Sequence, residues 1–169
     1  MSIENAQTWR KLSVDQYENV ASMLRENIAD EAWFTLRGDA SDDEVKAYWF
    51  GGLDNEFWVL EEADQILGAF YQRCNQFGLG SHVANGGYVV ASEAKNRGIG
   101  RKLGVKSIER ARERGFRGIQ FNFVVATNTV AVKLWRSLGF VTIGTIPGGY
   151  HYKQTRYDDA YIMFKDLTV

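Results

Sequence analysis

Residues 92–104 read SEAKNRGIGRKLG, and this stretch decides how the rest of the chain is interpreted. It follows the apolar run GGYVVA and leads into a basic segment with helical periodicity, so it is predicted to join a strand to a helix. The N-terminus of a helix presents unpaired N–H groups and the positive end of the helix dipole, and glycine lets a ligand approach the backbone closely. The glycines alone therefore allow two interpretations, a structural turn or an anion site.

Residue identities exclude two common phosphate-binding motifs at this turn. The dinucleotide fingerprint G-x-G-x-x-G requires a third glycine, and Leu103 stands at that position. A P-loop requires a hydroxyl residue directly after its lysine, and GIGRKLG has none. A phosphate ligand here would need a different motif.

The composition predicts a folded globular protein, because 45% of the 169 residues are hydrophobic and 14% are aromatic. The net charge of −1 argues against a dedicated nucleic-acid binder, which relies on excess positive charge. Charge is unevenly distributed: residues 30–64 hold eleven acidic residues and two cations, whereas residues 95–117 hold nine cations and two acids. This asymmetry fits ligands of opposite charge or, as charge counts alone favour, two solvated faces.

Few residues are available for redox or metal chemistry. Cys74 is the only cysteine, which excludes an internal disulfide, and His82 and His151 are isolated, so no metal site is predicted. The sequence shows neither a secretory leader nor a 20-residue apolar span, which predicts a soluble, cytoplasmic protein that does not enter a membrane.

Periodicity, caps and turn signals predict one α/β domain comprising residues 1–169. The predicted strands are residues 8–12, 57–61, 66–73, 87–91, 118–127, 140–146 and 159–167. The predicted helices are residues 13–27, 98–114 and 128–138, with another starting at the serine of SDDEVKAYWF. One half of the surface of the third helix in chain order should be buried, namely Ile99, Leu103, Gly104, Ser107, Ile108 and Ala111. Residues 147–159, PGGYHYKQTRYDD, are predicted to be a loop.

Two motifs at a fixed separation resemble those of the GNAT superfamily of N-acetyltransferases. Its hallmark Arg/Gln-x-x-Gly-x-Gly/Ala is matched by Lys95, Gly98 and Gly100. The second pattern, Asn-x-x-Ala-x-x-Leu-Tyr-x-x-x-Gly-Phe, follows about thirty residues later and is filled at Asn128, Ala131, Leu134, Gly139 and Phe140. In element order the resemblance covers residues 59–164.

The resemblance implies a fold and a cosubstrate. The fold is a central mixed, mostly antiparallel twisted sheet that splays between its fourth and fifth strands and is flanked by helices. The pyrophosphate of acetyl-CoA would rest on the turn formed by Lys95, Asn96, Arg97, Gly98, Ile99, Gly100 and Arg101. Its pantetheine arm would pair with the backbone of Tyr88, Val89, Val90 and Ala91, and no metal is expected.

The second motif implies further contacts to the cofactor from Asn128, Ala131 and Trp135. Asn128 is also expected to cap its helix. Lys95 keeps the positive charge where the family has arginine or glutamine, and Asn96 replaces a common glycine. Trp135 stands where the family often has a tyrosine that protonates the leaving thiolate. Since an indole is no useful acid, we interpret Trp135 mainly as a core aromatic residue.

The implied reaction is direct attack of an amine on the thioester of acetyl-CoA. A lysine-like amine has a pKa near 10.4, so only roughly one molecule in 10³ is neutral at pH 7. Base candidates are His82, which precedes the cofactor-binding strand, and Glu61 or Glu62 acting through water. The backbone N–H of Val90 is the candidate oxyanion donor.

The missing acid has candidates in the predicted loop before the last strand. Tyr150, Tyr152 and Tyr157 all lie there, and Tyr150 is the one that we assign to catalysis.

Two asparagines are candidate substrate ligands. Asn122 interrupts the apolar strand IQFNFVV, where a buried amide costs free energy unless it is hydrogen-bonded, so a functional role is favoured for it. By strand alternation it should share a face with Val124. Asn85 could act in the same way, although the Asn–Gly pair there favours a turn.

The expected function is acetyl-CoA-dependent acetylation of a small, amino-acid-like amine. The combination NGGYVV, RGIG and FNFVVATN also resembles fungal acetyltransferases of proline analogues and, more loosely, enzymes that acetylate phosphinothricin. Two alternatives stay open: acetylation of a protein N-terminus or lysine, and a non-catalytic module that senses acyl-CoA. Many members of this fold are dimers, so a homodimer is compatible with the resemblance.

Overall fold

The computed structural model describes residues 6–169, so the first five residues of the predicted domain lie outside it. The strands β1 to β7 are Thr8–Leu12, Glu56–Glu62, Gln65–Cys74, Val83–Val90, Gly118–Val125, Val141–Tyr152 and Arg156–Asp166. The helices α1 to α4 are Ala21–Ala29, Asp42–Phe50, Ile99–Glu113 and Thr129–Ser137. Short 3₁₀ helices lie at Val14–Asn19, Gly78–Gly80 and Ser92–Ala94.

All seven strands form one sheet in the order β1-β2-β3-β4-β5-β7-β6. Every neighbouring pair is antiparallel except β4 and β5, which are parallel. The two apolar clusters of the core meet at Tyr88, which packs against both. These features confirm the predicted fold class.

Local signals predict α2, α3 and α4 well. The side chain of Ser41 accepts a hydrogen bond from the Glu44 N–H, which closes a capping box at the start of α2. All six residues of the predicted stripe on α3 are buried, because a 3.6-residue period places them on one face against the sheet. No helix within residues 6–169 combines the length and the apolar character needed to span a membrane.

The first predicted helix is wrong as a continuous element. It is divided at Val20 into the 3₁₀ helix Val14–Asn19 and α1, because the Val20 N–H donates to the carbonyl of Tyr17, three residues back, at 2.9 Å. Val14, which the predicted stripe included, is 51% exposed as a result.

The predicted loop 147–159 is also wrong, since β6 and β7 form a long hairpin that includes most of it. Only residues 153–155 turn the chain, with positive φ values of 45° at Lys153 and 55° at Gln154. The residues PGG are absorbed by a register shift between Ile146 and Tyr150, so the signals for a loop mark a bulge inside a strand.

Candidate functional site

A cleft opens where β4 and β5 diverge. The two strands pair only through Val83 with Gly118 and Ala84 with Ile119, and beyond this point they separate. The Asn85 Nδ2 donates across the opening to the Gln120 carbonyl oxygen at 2.8 Å. The side chain of Asn85 thus closes the narrow end of the cleft.

The backbone of β4 presents free polar groups to this cleft. The Val83 carbonyl accepts from Asn75 at the end of β3, and the Ala91 N–H donates to Leu67 within β3. Since successive residues of a strand point their N–H groups to opposite edges, odd-numbered residues face β3 and even-numbered residues face the cleft. The N–H and C=O groups of Tyr88 and Val90 therefore lie where an added strand could bind them.

The turn between β4 and α3 has the geometry of an anion site. Its backbone reverses through positive φ values of 62° at Asn96 and 74° at Gly98. The backbone N–H groups of residues 97–101 have no hydrogen-bond acceptor within residues 6–169. A Cβ on Gly100 would lie 3.4 Å from Leu134 Cδ2 and 3.9 Å from Val90 Cγ2. Gly100 therefore faces the gap between β4 and α4, at the wide end of the cleft.

A cavity of about 270 Å³ adjoins the narrow part of the cleft. Aromatic residues form much of its wall, and β4 contributes the glycine pair Gly86 and Gly87. A Cβ on Gly87 would lie 2.4 Å from the ring of Tyr71, so glycine is what allows that ring to cover the strand. The other residues that line the cavity are Trp33, Phe34, Tyr48, Arg73, Asn85, Tyr88, Phe121, Asn122, Phe123, Val124, Val125, Asn128, Ala131 and Trp135.

This cavity contains proton donors and no evident base. No carboxylate or histidine is among the described residues that line it. Desolvation by burial raises the pKa of the Tyr48, Tyr71 and Tyr88 hydroxyls above the ordinary tyrosine value. All three tyrosines are therefore protonated at neutral pH.

The model of the acetyltransferase (GNAT) family matches residues 24–140, which include the cleft, the turn and α4. The chain belongs to the GNAT family. This confirms the resemblance drawn from the two motifs, and the cosubstrate that the family assigns to the chain is acetyl-CoA.

Similar proteins support the same assignment. The N-acetyltransferase aca1 of Schizosaccharomyces pombe is 40% identical over 98 residues, which are 57% of this chain and 47% of that protein. A GNAT structure from Kribbella flavida has a TM-score of 0.86 and 35% identity, covering 95% of this chain and 98% of that one. A protein of Salmonella typhimurium, whose structure was determined with its cofactor acetyl-CoA, has a TM-score of 0.80 at 19% identity and covers 97% of this chain and 95% of its own. The match to aca1 spans about half of that relative, and the last likeness shows the fold alone.

The residues of the two GNAT motifs lie on both parts of the cleft: Gly100 faces Leu134 across the gap between β4 and α4, whereas Asn128 and Ala131 line the cavity. Asn128 caps α4, its Oδ1 accepting from the Ala131 N–H at 3.2 Å. Trp135 is buried with its ring centroid 4.6 Å from that of Tyr88, as the core interpretation expects. Val89 and Ala91 differ from the expectation, because their N–H and C=O groups face β3 and are not open to the cleft.

The structure does not bring His82 into the site. His82 is exposed at the beginning of β4, where this strand is still paired with β5, and its Nδ1 lies 3.0 Å from the Leu79 carbonyl oxygen. We therefore withdraw His82 as a base.

Tyr150 has a structural position instead of a catalytic one. It is buried in β6, and its hydroxyl oxygen lies 3.0 Å from the carbonyl oxygens of both Glu31 and Phe34. Burial raises the pKa of Tyr150 to about 12. It lines a neighbouring cavity and not the one at the cleft, so the assignment as the acid is withdrawn.

The burial of the two asparagines is the reverse of the prediction. Asn85 is buried within β4, because pairing with β3 overrides the Asn–Gly turn signal, and its Oδ1 accepts from the Tyr71 hydroxyl at 3.3 Å. Asn122 is exposed and donates to the Asn75 Oδ1 at 2.8 Å, so the premise of a buried amide is wrong. A register shift between Phe121 and Val124 also breaks the alternation that placed Asn122 and Val124 on one face. Both asparagines nevertheless line the cavity.

Arg73, which lines the cavity from β3, was not predicted from the sequence. The only signal available was a lone arginine in the otherwise apolar stretch LGAFYQRC. Its meaning depends on the pairing of β3 with β4, which the sequence does not reveal.

Proposed function

We propose that this protein transfers the acetyl group of acetyl-CoA to the nitrogen of a small amine by direct attack. The observation that carries the proposal is that one cleft connects a turn with free backbone N–H groups to a small, half-enclosed cavity. The turn and the free edge of β4 suit a long phosphorylated cosubstrate, whereas the cavity volume of about 270 Å³ suits a compact acceptor. This size also favours a small molecule over a protein N-terminus or lysine, which would need an open groove.

The cleft-facing backbone of β4 would hold the cosubstrate and stabilise developing charge. Acetyl-CoA supplies an acetyl group as a thioester, and the amine nitrogen forms a bond to its carbonyl carbon as the bond to sulfur breaks. A backbone N–H would donate to the carbonyl oxygen, where negative charge develops. Val90 was the predicted donor, but Tyr88 lines the cavity and Val90 does not, so we propose the Tyr88 N–H for this role and Val90 for binding the arm.

The proton of the acceptor amine must leave without help from a residue in the cavity wall. Since that wall has only protonated tyrosines and an arginine as titratable groups, we propose that the enzyme takes the neutral amine and that water accepts the proton. The leaving thiol, with a pKa of about 8.5 for a cysteine-like group, departs more easily than an alkoxide would. Trp135 therefore need not replace the missing acid.

The alternative of a non-catalytic acyl-CoA sensor is supported by the same lack of a base in the cavity. One measurement distinguishes this alternative from the enzyme. CoA-thiol release from acetyl-CoA is followed with free amino acids, proline analogues, polyamines, aminoglycosides and short peptides as acceptors. We expect release that depends on an amino-acid-like amine. Tight acetyl-CoA binding with no release for any amine would contradict the enzyme and favour the sensor. The homodimer and the cytoplasmic location stay predictions from the sequence.

A further inference from the structure

Arg73 is a cation without a counterion in the wall of the cavity. Seven other arginines form ion pairs with carboxylates, and the remaining unpaired ones are exposed. Within residues 6–169, Arg73 is the one arginine that is not exposed and yet has no acidic partner. Taking a charge out of water costs free energy unless an opposite charge or hydrogen bonds compensate for it.

The guanidinium group is held firmly but incompletely satisfied. Its Nη1 donates to the Gly51 carbonyl oxygen at 2.9 Å and lies 3.5 Å from that of Tyr48, while Nη2 lies 3.5 Å from the Tyr71 hydroxyl oxygen. The guanidinium carbon lies 4.5 Å from the centre of the Tyr71 ring. A guanidinium has five N–H donors, and Nε has no acceptor within residues 6–169, so donors are left for a ligand.

Glycine makes room for this arrangement. Gly52, with a φ of 97°, would place a Cβ 2.5 Å from the Arg73 Cδ, so any other residue there would displace the side chain. The hydroxyl of Tyr71 donates in turn to the Asn85 Oδ1. Arg73, Tyr71 and Asn85 thereby form a connected polar floor under aromatic walls.

The spacing along the sheet relates this floor to the reacting end of the cavity. Arg73 pairs with Asn85, which lies three residues before Tyr88 on β4. At about 3.3 Å per residue this is a separation of about 10 Å, which an arginine side chain and a small amino acid together can cover.

We propose that Arg73 binds the carboxylate of the acceptor, and that the substrates are small amines that also carry a carboxylate. This inference rests on the proposed function and names its substrate class. A planar guanidinium binds a carboxylate through two parallel hydrogen bonds, which fixes the orientation of the ligand as well as its charge. With the carboxylate on Arg73, the amine points along β4 to the Tyr88 N–H.

The test uses matched acceptors that differ in one group. Alanine, proline and methionine are each compared with their carboxamides, by thiol release for KM and by calorimetry for Kd. For the wild type we expect the acids to bind on the order of 10- to 100-fold more tightly than the amides. Arg73→Gln should remove this preference by raising KM for the acids alone, with KM for acetyl-CoA unchanged.

Two further variants separate this role from a structural one. Arg73→Lys keeps the charge without the planar fork and should retain part of the preference. Arg112→Gln makes the same change at an exposed arginine of α3 and should leave KM and Kd for the acids and the amides unchanged. Retained acetyl-CoA binding by Arg73→Gln shows that this variant is folded.

The two proposals fail in different ways. Equal binding of acids and amides by the wild type, no binding of any acid at millimolar concentration, or an unchanged preference in Arg73→Gln would each overturn the role of Arg73. Efficient release with both acids and amides would overturn it while the enzyme stands. Carboxylate binding that depends on Arg73, without any thiol release, would instead support the anchor and contradict catalysis.

Discussion

Glu56 connects the sheet to the basic face of α3. Its carboxylate accepts hydrogen bonds from both Nε and Nη2 of Arg110 at 2.8 Å, from the Trp58 Nε1 at 2.9 Å and from the Lys11 Nζ at 3.2 Å. Only 10% of its side chain is exposed. The Arg110 guanidinium, more than any other neighbour, holds the pKa of the Glu56 carboxyl well below its usual range. The arrangement stabilises the fold and lies away from the cavity.

Replacing Glu56 should therefore destabilise the protein in a manner that depends on pH. Glu56→Gln leaves the Arg110 charge without its partner, so we expect a loss of about 2 kcal/mol in the free energy of unfolding at pH 7. Because the folded pKa is depressed, the stabilisation is present above the unfolded pKa of about 4.3 and is lost as the pH falls towards the folded value. In urea denaturation, the difference in free energy of unfolding between wild type and variant should be smaller at pH 3 than at pH 7.

Asp39→Asn is the matched control, because Asp39 pairs with Arg37 on the surface with 77% and 66% of their side chains exposed. We expect Asp39→Asn to change the free energy of unfolding by less than about 0.5 kcal/mol. The assigned role of the carboxylate would be contradicted if Glu56→Gln lowered the free energy of unfolding by no more than this control does. A loss that is the same at pH 7 and pH 3 would contradict it as well.

At the scale of elements, the hairpin of β6 and β7 holds the irregular segment 30–40 over the cavity. The Tyr150 hydroxyl contacts two carbonyl oxygens of this segment, and the Gln154 Nε2 donates to the Glu31 Oε2 at 3.0 Å. The same segment supplies Trp33 and Phe34 to the cavity wall. The hairpin thus positions the part of the cavity wall where the acceptor is proposed to bind.

Removing the Tyr150 hydroxyl should change KM for the acceptor more than KM for acetyl-CoA. Tyr150→Phe frees the segment that carries Trp33 and Phe34, so we expect a several-fold rise in KM for the acceptor, unchanged KM for acetyl-CoA and a loss of about 1 kcal/mol in stability. Tyr157→Phe, at a side chain that is 71% exposed, serves as the control. If Tyr150→Phe instead lowered kcat at unchanged KM, Tyr150 would be the acid that was predicted from the sequence.

Elements governed by local signals were predictable, and those governed by distant pairing were not. The stripe of α3 and the Asn128 cap depend on neighbours within one or two turns, so periodicity and capping preferences identified them. Asn85 looked like a turn residue because its environment is decided by β3, ten or more positions away. The proposed cofactor side of the site lies on such local features, whereas the proposed acceptor side, with Arg73, is assembled by the pairing of β3 with β4.

Across the whole molecule, part of the charge asymmetry of the sequence is an internal pairing, because three of the nine cations in residues 95–117 form ion pairs with acids of residues 30–64. Arg97 bonds Glu62 at 2.6 Å, and Arg114 bonds Asp54 at 2.7 Å, while Arg110 bonds Glu56, so the acidic segment and the basic helix meet across the fold. The other six cations of residues 95–117 form no ion pair within residues 6–169, so most of the basic segment is a solvated face, as expected, and only these three contacts differ from that expectation. Three cations near the turn have no acidic partner within residues 6–169, namely Lys95, Arg101 and Lys102. They add positive charge where the phosphates of the cosubstrate are proposed to bind.

The most direct test of this account is the affinity of acetyl-CoA for the wild type, Gly100→Glu and Gly100→Gln, measured by calorimetry. A glutamate at position 100 puts bulk and negative charge into the gap between β4 and α4, whereas glutamine adds similar bulk without charge. Gly100→Ala, whose methyl group has ordinary contact distances of 3.4 Å and 3.9 Å, controls for the loss of glycine. We expect tight binding by the wild type, weaker binding by Gly100→Gln and no detectable binding by Gly100→Glu. Unchanged affinity in Gly100→Glu would contradict the placement of acetyl-CoA at this turn.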